Sequence, residues 1–198
     1  MSYFGELFDR HGSDKEKGHK YGAAYDFLLA SRRWYDNDTF KILEIGVAGG
    51  GSLRAWREAF PKAEIHAVDN DVNGLMNIPD GTMFHCGDQG DAEFLFSMAE
   101  KNGPFHLIID DGSHRIDHQQ TSFASLWSYV TVGGIYVIED LETSLMAYRH
   151  KWNPSGMQPT LERLLGHARH GVQRRRHTPP SAMYCFFGEM CAIIKMEN

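Results

Sequence analysis

The side chains best suited to chemistry lie in two acidic pairs, each closing an apolar run. FHLIID ends in Asp110 and continues as Asp111-Gly112-Ser113-His114, and IYVI runs into Glu139-Asp140. Short apolar runs of this kind read as buried strands. Neighbouring strands stand ~4.8 Å apart, so the terminal carboxylates of two adjacent ones converge. Like charges that close resist joint ionisation unless a cation holds them. An all-oxygen set selects a hard ion, and Mg²⁺ typically takes a few carboxylates while leaving positions for water and substrate. Asp111, Glu139 and Asp140 are therefore the candidate metal ligands. A hydroxyl held on such an ion is easier to deprotonate, and an imidazole, which titrates near neutrality, makes His114 the candidate base. Each residue alone has a blander reading as a helix cap, loop acid or surface histidine; the grouping argues for a site. Asp110 stays open between a buried carboxylate fixing the turn and a direct ligand.

A second set surrounds the glycines of Glu44-Ile45-Gly46-Val47-Ala48-Gly49-Gly50-Gly51-Ser52. Glycines at a strand end let backbone approach a ligand and adopt positive φ, and Ser52 can cap the following helix or donate to the ligand. A plain glycine turn is the competing reading. Asp69, at the end of the next apolar run, tips the balance, because a carboxylate there can accept both hydroxyl hydrogens of an adenosine ribose. Gly87-Asp88-Gln89 adds a polar corner suited to the adenine amino edge. Ala48 stands where a G-x-G-x-x-G fingerprint needs its second glycine, which disfavours a dinucleotide.

The elements that must position these groups follow from the apolar pattern, which switches between short continuous runs and helical spacing, the mark of βαβ units. Strands are expected over 41–47, 64–69, 82–86, 105–110 and 135–139, the last after a Gly133-Gly134 turn. Helices are expected over 21–34, 52–60 (stopped by Pro61), 92–101 and 118–129, with another near 161–169. Residues 12–20 read as a mobile lead-in, and 141–180 as otherwise irregular. Two closing runs, 183–187 and 191–196, joined by Gly188-Glu189, imply an antiparallel hairpin at the sheet edge. The expected fold is α/β: a doubly wound, mostly parallel, Rossmann-like sheet of seven strands. At 198 residues one domain is expected, divided into 1–36 (lead-in and helix), 37–140 (core), 141–181 (acceptor or lid region) and 182–198 (hairpin).

Composition narrows the partners. No apolar run approaches the ~20 residues of a membrane span, and no secretory h-region follows the N-terminus, so a cytoplasmic location is expected. Cys86, Cys185 and Cys191 lack metal-site spacing and read as reduced structural thiols. A formal charge of −6 disfavours nucleic acid despite the Arg174-Arg175-Arg176 cluster, and favours a small-molecule partner. His118, His167, His170 and His177 read as surface or helix residues. Monomer or homo-oligomer is left open.

With DDGSH, VIED, GDQGD and LEIGV in view, the chain resembles the bacterial metal-dependent sugar O-methyltransferases that tailor macrolides and related antibiotics, a branch of the class I methyltransferases. The likeness runs from about His11-Gly12-Ser13-Asp14-Lys15 through Leu141 and weakly over the closing hairpin. It implies S-adenosylmethionine and Mg²⁺ as cofactors and a small-molecule hydroxyl as acceptor. It also implies Asp111, Glu139 and Asp140 as metal ligands and His114 as base. Glu44, Gly46, Gly49, Ser52, Asp69, Asp88 and Gln89 become the expected cofactor contacts, with Glu44 at the methionine amino end. The loop 47–52 is shorter than in the macrolide enzymes, and the additional N-terminal domain of some relatives is not expected. Asp14, Lys15, Tyr21 and Tyr25 read either as a lid or, for the tyrosines, as helix anchors. The basic stretch 173–177 and Thr178-Pro179-Pro180 read as a lid, an anionic-acceptor contact or a solvated loop. A dinucleotide-dependent oxidoreductase, a hydroxylase-type tailoring protein and a non-catalytic cofactor-binding partner are the rival functions.

Overall fold

A computed structural model describes residues 2–30, 40–72, 78–173 and 182–197. Seven strands form one sheet: β1 (Lys41–Ile45), β2 (Glu64–Asp69), β3 (Thr82–Cys86), β4 (Phe105–Asp110), β5 (Val130–Ile138), β6 (Ala182–Phe187) and β7 (Met190–Lys195). Their order is β3-β2-β1-β4-β5-β7-β6, parallel except for β7, which is antiparallel to both β5 and β6. The helices are α1 (Tyr3–His11), α2 (Asp14–Lys17), α3 (Gly22–Ala30), α4 (Gly51–Ala59), α5 (Ala92–Asn102), α6 (Ile116–Leu126), α7 (Arg149–Trp152) and α8 (Thr160–Gln173).

Alternation along the strands loads both faces of the sheet. Ile42, Ile65, Leu107, Ile109 and Val137 face a core built with α1, α3 and α4, where Phe4, Phe8, Tyr25 and Trp56 pack ring on ring at 5.0–6.3 Å. Leu43, Ile45, Val68, Ile108 and Ile138 face the opposite core, built with Leu95, Leu126 and Leu164 of α5, α6 and α8. Burying each such side chain stabilises the fold by about 1.5–3 kcal/mol, so the aromatic cluster pins the N-terminal helices to the sheet. Strand order reverses between β1 and β4, which opens a crevice beyond their carboxyl ends.

The architecture is the one expected, with instructive departures. The stretch 12–20 is not a mobile lead-in: Ser13 caps α2, and Lys15 is buried. An unanticipated helix, α1, precedes it; its apolar Phe4, Leu7 and Phe8 sit at helical spacing and are all buried. Gly133-Gly134 is not a turn before the fifth strand but lies within it, where pairing with β4 jumps from Phe105↔Val130 to Leu107↔Ile135, a bulge. The stretch 141–180 is more regular than expected in its described part, with a 3₁₀ turn at Leu141–Ser144 ahead of α7 and α8. Residues 31–34 of the first expected helix, Arg174-Arg175-Arg176, His177 and Thr178-Pro179-Pro180 lie outside the described residues. Among the described residues no helix is long and apolar enough to cross a membrane.

Candidate active site

The glycine loop leaves β1 by a close approach between two backbones. Gly46 has φ +93°, and a Cβ there would stand 2.0 Å from the carbonyl oxygen of Asp111, so only glycine lets the β1 and β4 ends meet. The Asp69 carboxylate fixes the turn, one oxygen accepting the Val47 N–H at 2.7 Å and the other the Asp71 N–H at 2.9 Å. Each oxygen keeps a second lone pair, and Asp69 lines the crevice.

Beside this loop the ends of β4 and β5 are laced together. Asp110 pairs with Ile138, the Glu139 N–H donates to the Asp110 carbonyl at 3.0 Å, and the Asp111 N–H donates to Ile45 at 3.0 Å. The acids of the two strand ends are thus neighbours in space. Ligand atoms of Asp111, His114 and Asp140 lie within 4.8 Å of one another. His114 and Asp140 both adopt φ +56°, a conformation costing non-glycine residues about 1–3 kcal/mol and concentrated at functional sites. The His114 Nδ1 atom is buried without a hydrogen-bond partner and stands 3.3 Å from an Asp140 oxygen; its ring meets Trp152 edge to face at 5.8 Å.

Glu139 borders the same cavity but is nearly fully buried, and its oxygens lie outside that close group. One of its oxygens takes the ammonium of Lys15, the other the hydroxyl of Tyr25, and both donors are buried. Lys15 also contacts Asp111 and stands 3.4 Å from Glu44. Burial disfavours its ammonium, but the Asp111, Glu139 and Glu44 charges outweigh burial and raise its pKa well above the usual lysine range. Glu139 is raised too, by burial first and the Asp111 charge next, against the pull of Lys15. Asp140 accepts the Tyr21 hydroxyl at 2.9 Å and lies 3.3 Å from His19.

Beneath this layer, Asp110 is buried and held by Gln89, by the Ser122 hydroxyl and by Tyr136 at 3.2 Å. Burial pushes its carboxyl up to about 7 against these donors. Asp110 is thus a buried carboxylate, as one of the two readings had it, but the donors its oxygens take are side chains and not backbone N–H groups of the turn. Gln89 borders the cavity, yet its amide is committed to Asp110 and, through its oxygen, to the Ser113 N–H at 2.9 Å. Glu44 is fully buried behind the wall, accepting from the Trp56 indole at 3.0 Å and from Ser52. The other expected contacts, Gly46, Gly49, Ser52, Asp69 and Asp88, all line one cavity of about 530 Å³ together with Asp111, His114, Glu139 and Asp140. Ser52 does not cap α4; that position belongs to Gly50. His118 is a helix residue of α6, as expected, and it also lines the cavity, 2.9 Å from the Ser113 hydroxyl. Gly12–Lys15 and His19 also line it.

Comparison with known proteins bears on this cavity. No protein-family model matches the chain. Over 120 residues, 57% of its length, the chain is 45% identical to the mycinamicin VI 2''-O-methyltransferase of Micromonospora griseorubida. Over 151 residues it is 42% identical to a Streptomyces olivaceus 3'-O-methyltransferase acting on a methoxyrhamnosyl tetracenomycin C. Both relatives are named as O-methyltransferases. The aligned parts cover 30% and 37% of these two relatives, so the chain spans about a third of their length. The MycE methyltransferase, solved with Mg, SAH and mycinamycin VI, superposes with a TM-score of 0.83 at 30% identity over 98% of this chain and 53% of that one. TomG from Streptomyces achromogenes, 12% identical, shares the fold alone, with a TM-score of 0.59 over 97% of this chain and 90% of its own. The chain has the class I methyltransferase fold.

The donors of the acid cluster are those of a Mg²⁺ site. Glu44, Asp111 and Glu139 crowd around the single ammonium of Lys15, and Asp140 stands within 4.8 Å of Asp111 and His114, an excess of negative charge that a divalent cation offsets. Lone pairs remain on the carboxylates after Lys15, Tyr21 and Tyr25 have donated. The donor set fits a hard cation.

Proposed function

We propose that the chain is an S-adenosylmethionine- and Mg²⁺-dependent O-methyltransferase acting on a sugar hydroxyl of a glycosylated natural product, located in the cytoplasm. One observation carries the reading: the ribose-suited Asp69 and the Asp111–His114–Asp140 group line the same cavity. Asp69 receives the ribose hydroxyls, and Gly46, Gly49 and Ser52 allow the methionine portion to lie close to the loop. Asp88 borders the adenine edge, while Gln89 and Glu44 act through what they hold, the Ser113 turn and the Lys15–Trp56 floor. Asp111, Glu139 and Asp140 hold the metal.

When bound, S-adenosylmethionine supplies an activated methyl group and Mg²⁺ acidifies a coordinated hydroxyl. The chain's own residues then align the acceptor and receive its proton. His114 receives that proton: its Nδ1 stands 3.3 Å from an Asp140 oxygen, and the tautomer that carries its hydrogen on Nδ1 leaves Nε2 as the accepting atom. Relatives named for mycinamicin VI and for a rhamnosyl tetracenomycin C support a glycoside with a free vicinal diol as first acceptor.

The binding half is tested by calorimetry with S-adenosylhomocysteine, which should bind the wild type and bind Asp69→Ala at least tenfold more weakly, as expected for loss of a charged hydrogen-bond acceptor. Binding of NAD(P)H without any response to S-adenosylhomocysteine contradicts the proposal and favours the oxidoreductase reading.

A further inference from the structure

We infer that the segment 15–25 is the orienting shell of the acid cluster: Lys15, Tyr21 and Tyr25 are positioning residues that aim Asp111, Glu139 and Asp140 at a divalent cation. The inference rests on those three acids being the metal ligands. Every one of them receives a donor from this segment. The Lys15 ammonium bridges Asp111 and Glu139, the Tyr25 hydroxyl donates to the second oxygen of Glu139, and the Tyr21 hydroxyl donates to Asp140 at 2.9 Å. Tyr21 is used twice, since its oxygen also accepts the Asp140 N–H at 3.2 Å. That bond helps hold Asp140 at its φ of +56°.

The three donors are themselves locked in register. The Tyr21 N–H donates to the Lys15 carbonyl at 2.8 Å and the Tyr25 N–H to the Tyr21 carbonyl at 3.0 Å, so both tyrosines project from one face of the α3 entry. Packing alone does not explain the hydroxyls. The Tyr25 ring is clasped by Phe8 at 5.6 Å and Trp56 at 5.0 Å, and a phenylalanine would fill that space equally well. A buried hydroxyl is costly without a partner, and here the partner is a carboxylate of the cluster. Groups that hydrogen-bond metal-ligating carboxylates set ligand orientation, and their loss typically weakens metal binding 10–100-fold. The segment also forms the cavity edge through Gly12–Lys15 and His19, so one piece of chain frames both the nucleoside end and the metal end.

The test is Mn²⁺ titration by calorimetry on the wild type, Tyr25→Phe and Tyr21→Phe, with S-adenosylhomocysteine affinity measured in parallel. Each phenylalanine variant should bind Mn²⁺ roughly 10–100-fold more weakly while holding S-adenosylhomocysteine as the wild type does. If Tyr25→Phe does not fold, Tyr21→Phe, whose hydroxyl serves Asp140 at the mouth of α3, carries the same test. Wild-type Mn²⁺ affinity in the phenylalanine variants overturns the inference. A wild type that binds S-adenosylhomocysteine but not Mn²⁺ overturns the metal reading itself, and the inference with it.

Discussion

Gly46→Ala and Gly49→Ala place the same methyl group three residues apart on one loop and should have opposite outcomes. At Gly46 the new Cβ meets the Asp111 carbonyl oxygen at 2.0 Å and the Asp111 carbonyl carbon at 2.7 Å, on a backbone with φ +93°. These are backbone atoms at the end of β4, which cannot turn aside as a flexible side chain would. The strained φ costs roughly 1–3 kcal/mol, and the forced separation of β1 from β4 costs about 1–3 kcal/mol more. Together they lower stability by about 2–6 kcal/mol, which for a domain of this size is a fall in Tm of roughly 5–20 °C. A Cβ at Gly49 meets nothing within 4 Å, so Gly49→Ala should leave Tm unchanged or slightly raised through the unfolded chain's lost freedom. Thermal unfolding measures both, and S-adenosylhomocysteine calorimetry on any Gly46→Ala protein that folds should show weakened binding, since the displaced Asp111 turn borders the cavity. A Gly46→Ala variant as stable as Gly49→Ala refutes the claim that close approach of β1 to β4 shapes the site.

Other predictions are independent of that loop. His114→Ala should lower turnover on a confirmed acceptor by a hundredfold or more while S-adenosylhomocysteine binds as before; unchanged turnover assigns the proton to another base. Cys86 is exposed whereas Cys191 is buried with its thiol pushed up to about 12, so a thiol reagent at pH 8 should label Cys86 quickly and reach Cys191 only on unfolding. Rapid native labelling of Cys191 contradicts the closed sheet edge. Burial holds the stacked His66 and His85 below the usual 6.5. The unfolded chain therefore binds more protons than the folded one as pH falls through 6.5, and this pair's stabilisation is present above that value and lost below it. The His85→Gln variant should lose less stability than the wild type between pH 7.5 and 5.5, a difference that separates the imidazoles from the buried acids; equal losses would remove the imidazoles from the acid response.

Much of this was legible in the residues because it is local. Alternating apolar runs and glycine breaks place β1 to β4 with near-final bounds, and the hairpin 182–195 follows from two runs and a tight link. The acids at 110–111 and 139–140 are visible because strand ends in such a sheet open on the crevice. What escaped depends on distance along the chain. Lys15 meets Asp111 and Glu139 across 96 and 124 residues, and Tyr21 and Tyr25 reach Asp140 and Glu139 across 119 and 114. Nothing near Lys15 marks it as buried; Ser13-Asp14-Lys15-Glu16-Lys17 reads as solvated. Lys15, Tyr21 and Tyr25 stand out in the sequence only as a lid or as helix anchors; the helical spacing of Phe4, Leu7 and Phe8 is the signal that marks a packed N-terminal helix and hence a docked segment behind it. Gln89 and Glu44 look like ligand contacts by type and place, and only the structure reveals that Gln89 also holds Asp110 and Ser113, and that Glu44 accepts from Trp56 and pairs with Lys15 while its Oε1 keeps no hydrogen bond.

The central claim is methyl transfer from S-adenosylmethionine onto a glycoside hydroxyl under control of the acid cluster. Isotope-labelled methyl transfer to a rhamnoside with a free vicinal diol, run with Mg²⁺ and with a chelator, tests it most directly. The expected result is a methyl ether formed with Mg²⁺ and lost with chelator or in Glu139→Ala, while S-adenosylhomocysteine binding persists in both. Transfer indifferent to chelator would show that the acids serve the fold alone. No transfer to any hydroxyl acceptor, from a chain that binds neither S-adenosylhomocysteine nor Mg²⁺, would contradict the claim outright.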